Sequence, residues 1–547
     1  MSQKTPKSIP SYSQIACVGA GISAIALGAT LKRWYNLEDI QFFERHDDCG
    51  GTWHINTYPG CACDVPSALY SYSFAQNPKW TKLMPSHDEI KAYQREVADT
   101  YGLREKMMFR TEVKECYWRE DASRWLMLLR NIDTDEIFYH ECQILFGATG
   151  VLVEPRPCDI PGASTFSGSI FHSARWNNDV SLVGKKVVVV GNGCTAAQIV
   201  PAIVDSAASV TQIIRSQHWV VQSANFKYTP GMLWAFENIP FLQQLHRFGI
   251  YLGAEEDWQL FPMTKNAAKY RQKRRKQIEA YMRKTAPAKY HDILIPDFEV
   301  GCKRRIFDCG YLAALHNPKA LLTDAKILEI VPEGVKTSDG IIPADVIVLA
   351  TGFDTTRFLP GLTVHGRNDT TVEEHWSRQD GPGAYNTSAM NRFPNFFMLL
   401  GPNTVTGHTS AIMASENSVN YALRVLKPVL DGSASSVEVK LEAEDTYIQN
   451  VQSALKDTVW HSGCNSWYVN GKEWNAMAYP WAQSHFWYRS LFPVWKDWDI
   501  KWVKKPATRS WKKFILALIL FVGAGSASLN AAWLRGVAIL LRQRVGL

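Results

Sequence analysis

Twice in this chain a short apolar run ends on the pattern Gly-x-Gly-x-x-Ala. Residues 15–18 lead into Gly19-Ala-Gly21-Ile-Ser-Ala24, and residues 187–190 lead into Gly191-Asn-Gly193-Cys-Thr-Ala196. A four-residue apolar run bounded by glycine reads as a buried strand, and the apolar residues after each turn read as a helix. The first glycine permits a tight turn and the second lets a pyrophosphate approach the helix N-terminus. The alanine allows close helix–strand packing. After the first unit, residues 40–43 read as a strand ending on Glu44, whose carboxylate suits a ribose hydroxyl. After the second, residues 210–214 end on Arg215-Ser216 instead. A cation there suits a 2′-phosphate, which favours NADPH over NADH. The chain is therefore expected to be α/β, with two Rossmann-like dinucleotide-binding domains.

Composition narrows the function classes. The 547 residues suggest two or three domains, and 46% hydrophobic with 20% charged residues is a globular balance. The net charge of +7 suggests an acidic partner until it is located. From Lys501 onward there are nine Lys/Arg and no Asp/Glu, which leaves 50 basic against 52 acidic residues in the body. The body thus lacks the basic field that nucleic-acid binding requires. Eleven scattered cysteines, with Cys61 and Cys63 one residue apart and no Cys-x-x-Cys pair, predict reduced thiols without a disulfide framework, a redox pair or a metal site. The N-terminus is polar and has no apolar signal region.

Along the chain, Ile90, Tyr93, Val97 and Tyr101 give helical spacing over 88–101, and strands are expected at 113–118, 125–129, 136–140 and 144–146. Gly147-Ala-Thr149-Gly150 and Thr351-Gly352 each follow an apolar strand and read as crossings between domains. Pro155, Pro157, Pro161 and Gly162 make a stiff linker. Residues 228–284 break the alternation and read as a helical insertion. Its basic run (Lys265, Lys269, Arg271, Lys273 to Lys276) is expected to be a solvated helix face.

The stretch Gly50-Gly-Thr52-Trp53-His-Ile-Asn56-Thr-Tyr58-Pro-Gly60-Cys-Ala62-Cys63-Asp64 supplies paired glycines for close approach, an indole face and a Pro-Gly turn. It resembles the fingerprint of the type I Baeyer–Villiger monooxygenases, with every fixed position filled. Phe166-Ser-Gly168-Ser-Ile-Phe-His172-Ser-Ala-Arg-Trp176 resembles that family's second signature, although Asn177 follows where the family usually has Pro or Asp. His172, beside a linker, reads as a hydrogen-bonded structural residue. Residues 393–403, followed by Gly407 to Ser410, resemble the later FAD-contacting segment of this superfamily, and the 462–468 stretch with Trp474, Trp481 and Trp487 resembles the C-terminal region of the hydroxyacetophenone- and steroid-type members.

The resemblance implies FAD on the first unit and NADPH on the second. It places Gly19, Gly21, Ala24, Glu44, Thr52 and Trp53 on the cofactors, with Ala62, Cys63, Asp64, Tyr70 and Val113. Gly191, Gly193, Ala196, Gln198, Arg215 and Ser216 belong to the same set. In Gly301-Cys-Lys303-Arg304 it puts Lys303 on the 2′-phosphate and Arg304 over the flavin, so Arg304 and Asp64 are the expected catalytic pair. The implied domains are 1–150 and 341–510 for FAD, with the C-terminal segment, and 151–340 for NADPH, with the insertion at about 225–295. The implied reaction inserts one oxygen atom of O2 beside the carbonyl of an apolar ketone through a C4a-peroxyflavin, giving an ester or lactone. A flavin monooxygenase acting on nitrogen, sulfur or another carbon centre is the alternative. An NADPH-dependent flavin reductase of another type is a further alternative, and a disulfide or dithiol reductase would need a redox cysteine pair that the sequence lacks.

The tail invites a separate expectation. Residues 514–534 form a charge-free run of about 21 residues flanked by Lys and Arg, long enough for a ~30 Å hydrocarbon core. This predicts a C-terminal hydrophobic helix in 511–547, a single-pass membrane anchor that leaves the catalytic body cytosolic.

Overall fold

Strand Ser11–Val18 lies between Ile137–Gly147 and Ile40–Phe43 and pairs in parallel with both, with Ile15 opposite Ile144 and Ile40. The structure is a computed structural model and describes residues 10–355, 357–464 and 466–503. Ile15, Ala16 and Cys17 are fully buried, as a strand covered on both faces requires. The full sheet has eight strands. From one edge these are Thr363–His365, Thr111–Arg119, Arg124–Asn131, Ile137–Gly147, Ser11–Val18, Ile40–Phe43 and Met107–Met108, with Phe396–Met398 also paired to Ile137–Gly147. Arg124–Asn131 runs antiparallel to both its neighbours, so the sheet is mixed. The two runs expected at 136–140 and 144–146 are one strand, Ile137–Gly147. The polar residues between them sit within the ladder, where polar and apolar side chains alternate.

A second sheet is wholly parallel, in the order Ala320–Thr323, Ser209–Ile213, Lys186–Val190, Val346–Leu349, Ser169–His172. Residues 187–190 and 346–349 in its centre are continuous valine, isoleucine and leucine. Helix Cys194–Ile203 connects Lys186–Val190 to Ser209–Ile213, as helix Ile22–Tyr35 does in the first sheet. In each crossover the glycine turn comes first, so both turns open at the C-terminal ends of parallel strands, where ligands of α/β sheets bind.

Residues 230–294 are mainly helical: Pro230–Asn238, Leu242–Glu256, Lys265–Thr285 and His291–Leu294. Much of the basic face is solvated, but Arg271 departs from the expectation, and Arg274 and Arg275 are only partly exposed. Arg271 is 2% exposed, its Nε is 2.8 Å from Glu299, and its guanidinium donates to the carbonyls of Pro262 (2.7 Å) and Leu260 (3.2 Å). A buried guanidinium is tolerated because its donors are occupied.

The described residues form two units, a large one of residues 10–427 with 436–500 and a small one of residues 428–435 with 501–503. The expected C-terminal hydrophobic helix, membrane anchor and membrane localisation are corrected here. Among the described residues no helix is long and apolar enough to cross a membrane. A span needs about 20 mostly apolar residues in one helix. Lys265–Thr285 has 21 residues, but it is rich in Lys and Arg. The run 514–534 lies outside the described residues.

The expectation of reduced thiols is also corrected. Cys302 and Cys464 are joined, their Cα atoms 6.2 Å apart across a sequence separation of 162. Only the folded chain brings them within the distance that a disulfide needs.

Candidate functional site

Both glycine turns open into one cavity of about 1550 Å³, larger than the ~300–1,000 Å³ usual for a single small ligand. Gly19 has φ +106°, and a Cβ there would fall 2.6 Å from the carbonyl oxygen of Ala148. Gly191 has φ +131°, and a Cβ there would fall 2.3 Å from the carbonyl oxygen of Ala350. Each turn can hold only glycine, because the strand that re-enters beside it leaves no room. Gly21 and Gly193 are the N-cap residues of their helices, and neither makes a side-chain cap hydrogen bond. The free N–H groups of both helix ends therefore remain for an anion. This backbone arrangement fits two pyrophosphates, one per turn.

Ala24 and Ala196 do not line the cavity. Both are fully buried, which fits the small-residue position of helix–strand packing expected of Ala24. Glu44 lines the cavity, but its carboxylate also accepts the N–H groups of Ala20 (2.8 Å) and His46 (2.9 Å). It holds the first turn in shape, and burial pushes its pKa up.

Asp64 and Arg304, 240 residues apart in sequence, meet in the cavity wall. One terminal nitrogen of Arg304 lies 2.8 Å from Oδ1 and 2.7 Å from Oδ2 of Asp64. The side chains are 28% and 21% exposed, so the pair is largely desolvated yet opens to the cavity. The Asp64 carboxylate, opposed by burial, holds the Arg304 guanidinium even further into its charged form. Cys194 lies close enough to feel both groups. Burial and then Asp64 push its thiol up to about 11, so it stays protonated. His218 lies 3.4 Å from the Arg304 carbonyl through Nδ1, and burial followed by Lys303 pulls its pKa down to about 4.

Lys303 and Arg215 both line the cavity on the side of the second turn. Neither forms an ion pair among the described residues. Burial and then Arg215 lower the pKa of Lys303, whose Nζ sits 4.7 Å from the centre of the Phe298 ring. Two cations near one another without a carboxylate suit an incoming phosphate dianion.

The Tyr58-Pro-Gly60 turn joins the two halves of the site. Tyr58 donates to Gln198 Oε1 (2.9 Å), and Gln198 Nε2 donates to the carbonyl of Ala62 (2.9 Å). Gly60 has φ +82°, and a Cβ there would lie 2.4 Å from the Gln198 carbonyl oxygen. Trp53 donates through Nε1 to the Tyr70 hydroxyl at 2.9 Å, and both rings are buried in the wall. Thr52, Ala62, Cys63, Val113 and Ser216 line the same cavity. His172 does not. Its Nδ1 accepts the Ala174 N–H at 3.0 Å, a local structural contact.

The sequence reading did not assign several wall residues to the site. Thr404 to Gly407, Thr409 to Ala411 and Ser466 to Tyr468 line the cavity, and the Tyr468 phenol lies near Arg304. The Gly407 to Ser410 and 462–468 stretches stood out in sequence, but nothing local shows that they face the turn at Gly19.

Comparison with known proteins agrees with this geometry. Residues 12–247 match the family of flavin-binding monooxygenase-like proteins. An uncharacterized monooxygenase of Mycobacterium tuberculosis is 35% identical over 458 residues, 83% of this chain and 90% of that protein. A Baeyer–Villiger monooxygenase of Streptomyces coelicolor is 33% identical over 483 residues, 86% of this chain and 90% of its own length. A solved oxidized steroid monooxygenase bound to NADP aligns with a TM-score of 0.78 at 25% identity, over 90% of this chain and 100% of that one. The chain belongs to the flavin-binding monooxygenase family, alongside its Baeyer–Villiger members, and is an FAD- and NADPH-dependent monooxygenase.

Proposed function

We propose that Arg304 and Asp64 carry a Baeyer–Villiger oxidation in this cavity. In the overall balance, ketone, O2, NADPH and a proton give ester or lactone, NADP⁺ and water. Residues 1–150 and 341–510 would hold FAD on the Gly19 turn, and 151–340, with the helical insertion at about 225–295, would hold NADPH on the Gly191 turn. Bound flavin, once reduced by NADPH, supplies the activation of O2.

The chain's own residues do the rest. Arg304 presents a fixed positive charge where negative charge develops on the reacting oxygens, in a site where such charges act strongly. Asp64 aims that charge and spares Arg304 from isolation in a partly dry wall. Val405, Trp467, Tyr468 and Met477 give part of the wall an apolar surface suited to an apolar ketone. The observation that carries this reading is the 2.7–2.8 Å contact of Arg304 with Asp64 in the wall of the cavity that both turns share.

Purified protein with NADPH, isotopically labelled O2 and a panel of ketones tests it. One labelled oxygen should appear in an ester or lactone. Oxygenated amines or sulfides without any ester would overturn the reading.

The Lys303–Arg215 pair predicts coenzyme choice. Losing one charge-assisted contact to phosphate costs about 1.5–3 kcal/mol, roughly a tenfold to hundredfold change in affinity. Arg215→Ala should raise KM for NADPH by that order and leave KM for NADH nearly unchanged. Steady-state kinetics with both coenzymes checks it, and an equal loss for both would remove Arg215 from the 2′-phosphate role.

A further inference from the structure

We propose that the Cys302–Cys464 disulfide is a positioning crosslink for Lys303 and Arg304, and that a dithiol reductant opens it. The proposal rests on Arg304 serving the oxygenation described above.

Cys302 immediately precedes Lys303 and Arg304, and Cys464 lies just before Ser466, Trp467 and Tyr468, which line the same cavity. Among the described residues, neither stretch lies in a helix or strand. Residues 301–305 precede strand Ile306–Asp308, and residues 462–468 follow the short helix Val459–His461. No ladder of backbone hydrogen bonds therefore sets where Arg304 stands relative to Tyr468. The covalent bond does so instead, and it fixes the cation two residues away on one side and the aromatic wall on the other. Trp460 secures the second stretch from behind by stacking on Phe261, with ring centres 4.6 Å apart.

The two sulfurs differ in access. Cys302 is fully buried, whereas Cys464 is partly exposed. A dithiol thiolate attacks Cys464 Sγ, the S–S bond breaks, and Cys302 leaves as a thiolate. The Ser462 hydroxyl lies 2.7 Å from the Val459 carbonyl and 3.4 Å from Cys302 Sγ, and can turn its proton to the thiolate. The second thiolate of the reductant then displaces Cys464. The reductant becomes a cyclic disulfide, and its two electrons and two protons end on Cys302 and Cys464 as thiols. Where thiols are kept reduced the loop would be loose, and where they are oxidised it would be tied.

The test uses FAD-loaded full-length protein. Digestion without reductant, followed by mass spectrometry, should show the Cys302 and Cys464 peptides joined. After dithiothreitol both should alkylate. The FAD content should not change, KM for NADPH should rise several-fold, and more hydrogen peroxide should be released per NADPH. Cys464→Ser should reproduce those kinetics and no longer respond to dithiothreitol. It also keeps the test alive if the buried Cys302→Ser fails to fold.

Absence of the joined peptide, or unchanged KM and peroxide release in both reduced protein and Cys464→Ser, would overturn the proposal. So would loss of FAD on reduction, because the bond would then hold the whole fold and not Arg304. If neither redox state oxygenates any ketone, the oxygenase reading fails, while the crosslink is still decided by its peptide and by KM for NADPH.

Discussion

Arg304→Ala should bind FAD and still oxidise NADPH, yet form ester about 10²–10³-fold more slowly. The size follows from what is removed. The guanidinium is held charged by Asp64 at 2.7–2.8 Å and is only 28% exposed, so little water can replace it. A fixed charge of this kind lowers the barrier where the reacting oxygens gain negative charge, and losing one typically costs two to three powers of ten in rate. Binding of FAD should survive, because the glycine turn and its helix N-terminus do not depend on Arg304. Asp64→Ala should act in the same direction with a smaller effect, since the cation remains but loses its aim. Arg304→Lys restores charge without the planar fork and should recover only part of the rate. The measurement is ester formed and hydrogen peroxide released per NADPH in each variant. Near-normal ester formation by Arg304→Ala would end the mechanism.

Gly19→Ala and Gly191→Ala should fail in different ways. At Gly19 the added Cβ would lie 2.6 Å from the Ala148 carbonyl oxygen, and at Gly191 it would lie 2.3 Å from the Ala350 carbonyl oxygen, both with positive φ. Positive φ alone costs a non-glycine residue on the order of 1–3 kcal/mol, and the overlap adds to it by forcing the turn off its strand. Gly19→Ala is therefore expected to purify with little or no flavin and to be colourless. Gly191→Ala is expected to be yellow, but its reduction by NADPH should slow by on the order of 10²-fold, while dithionite still reduces it fully. Absorbance at purification and anaerobic stopped-flow reduction distinguish the two. If both variants lose flavin alike, or Gly191→Ala is reduced by NADPH at the normal rate, the assignment of one turn to each cofactor is wrong.

Much of this was legible in order along the chain. Tight turns demand glycine at named positions, and a buried parallel strand demands a continuous apolar run, so Gly19, Gly21, Gly191 and Gly193 announced the two crossovers. Such local rules act over a few residues and survive without the fold. Arg215 at a strand end and Glu44 at another were visible for the same reason. Glu44, however, also holds the N–H groups of Ala20 and His46, which only the folded turn brings within reach.

Other features had no local signal. A disulfide needs Cα atoms about 6 Å apart, and nothing in the spacing of eleven cysteines singles out Cys302 and Cys464. The basic run on Lys265–Thr285 looked uniformly solvated, yet packing buried Arg271 against Glu299 and two carbonyls. Charge pattern fixes which helix face prefers water, but not which residue is covered by a neighbouring loop. Thr404 to Gly407, Thr409 to Ala411 and the Tyr468 ring reach the cavity by long-range return of the chain. The sequence by itself determined the glycine turns and the strands before them, because each depends on the few residues around it, whereas the chemistry expected at Asp64 and Arg304 came from the family resemblance. Only the tertiary structure decided that Asp64 and Arg304 meet across 240 residues, that Cys302 finds Cys464, and that both turns open into one cavity, because those depend on which distant surfaces pack together.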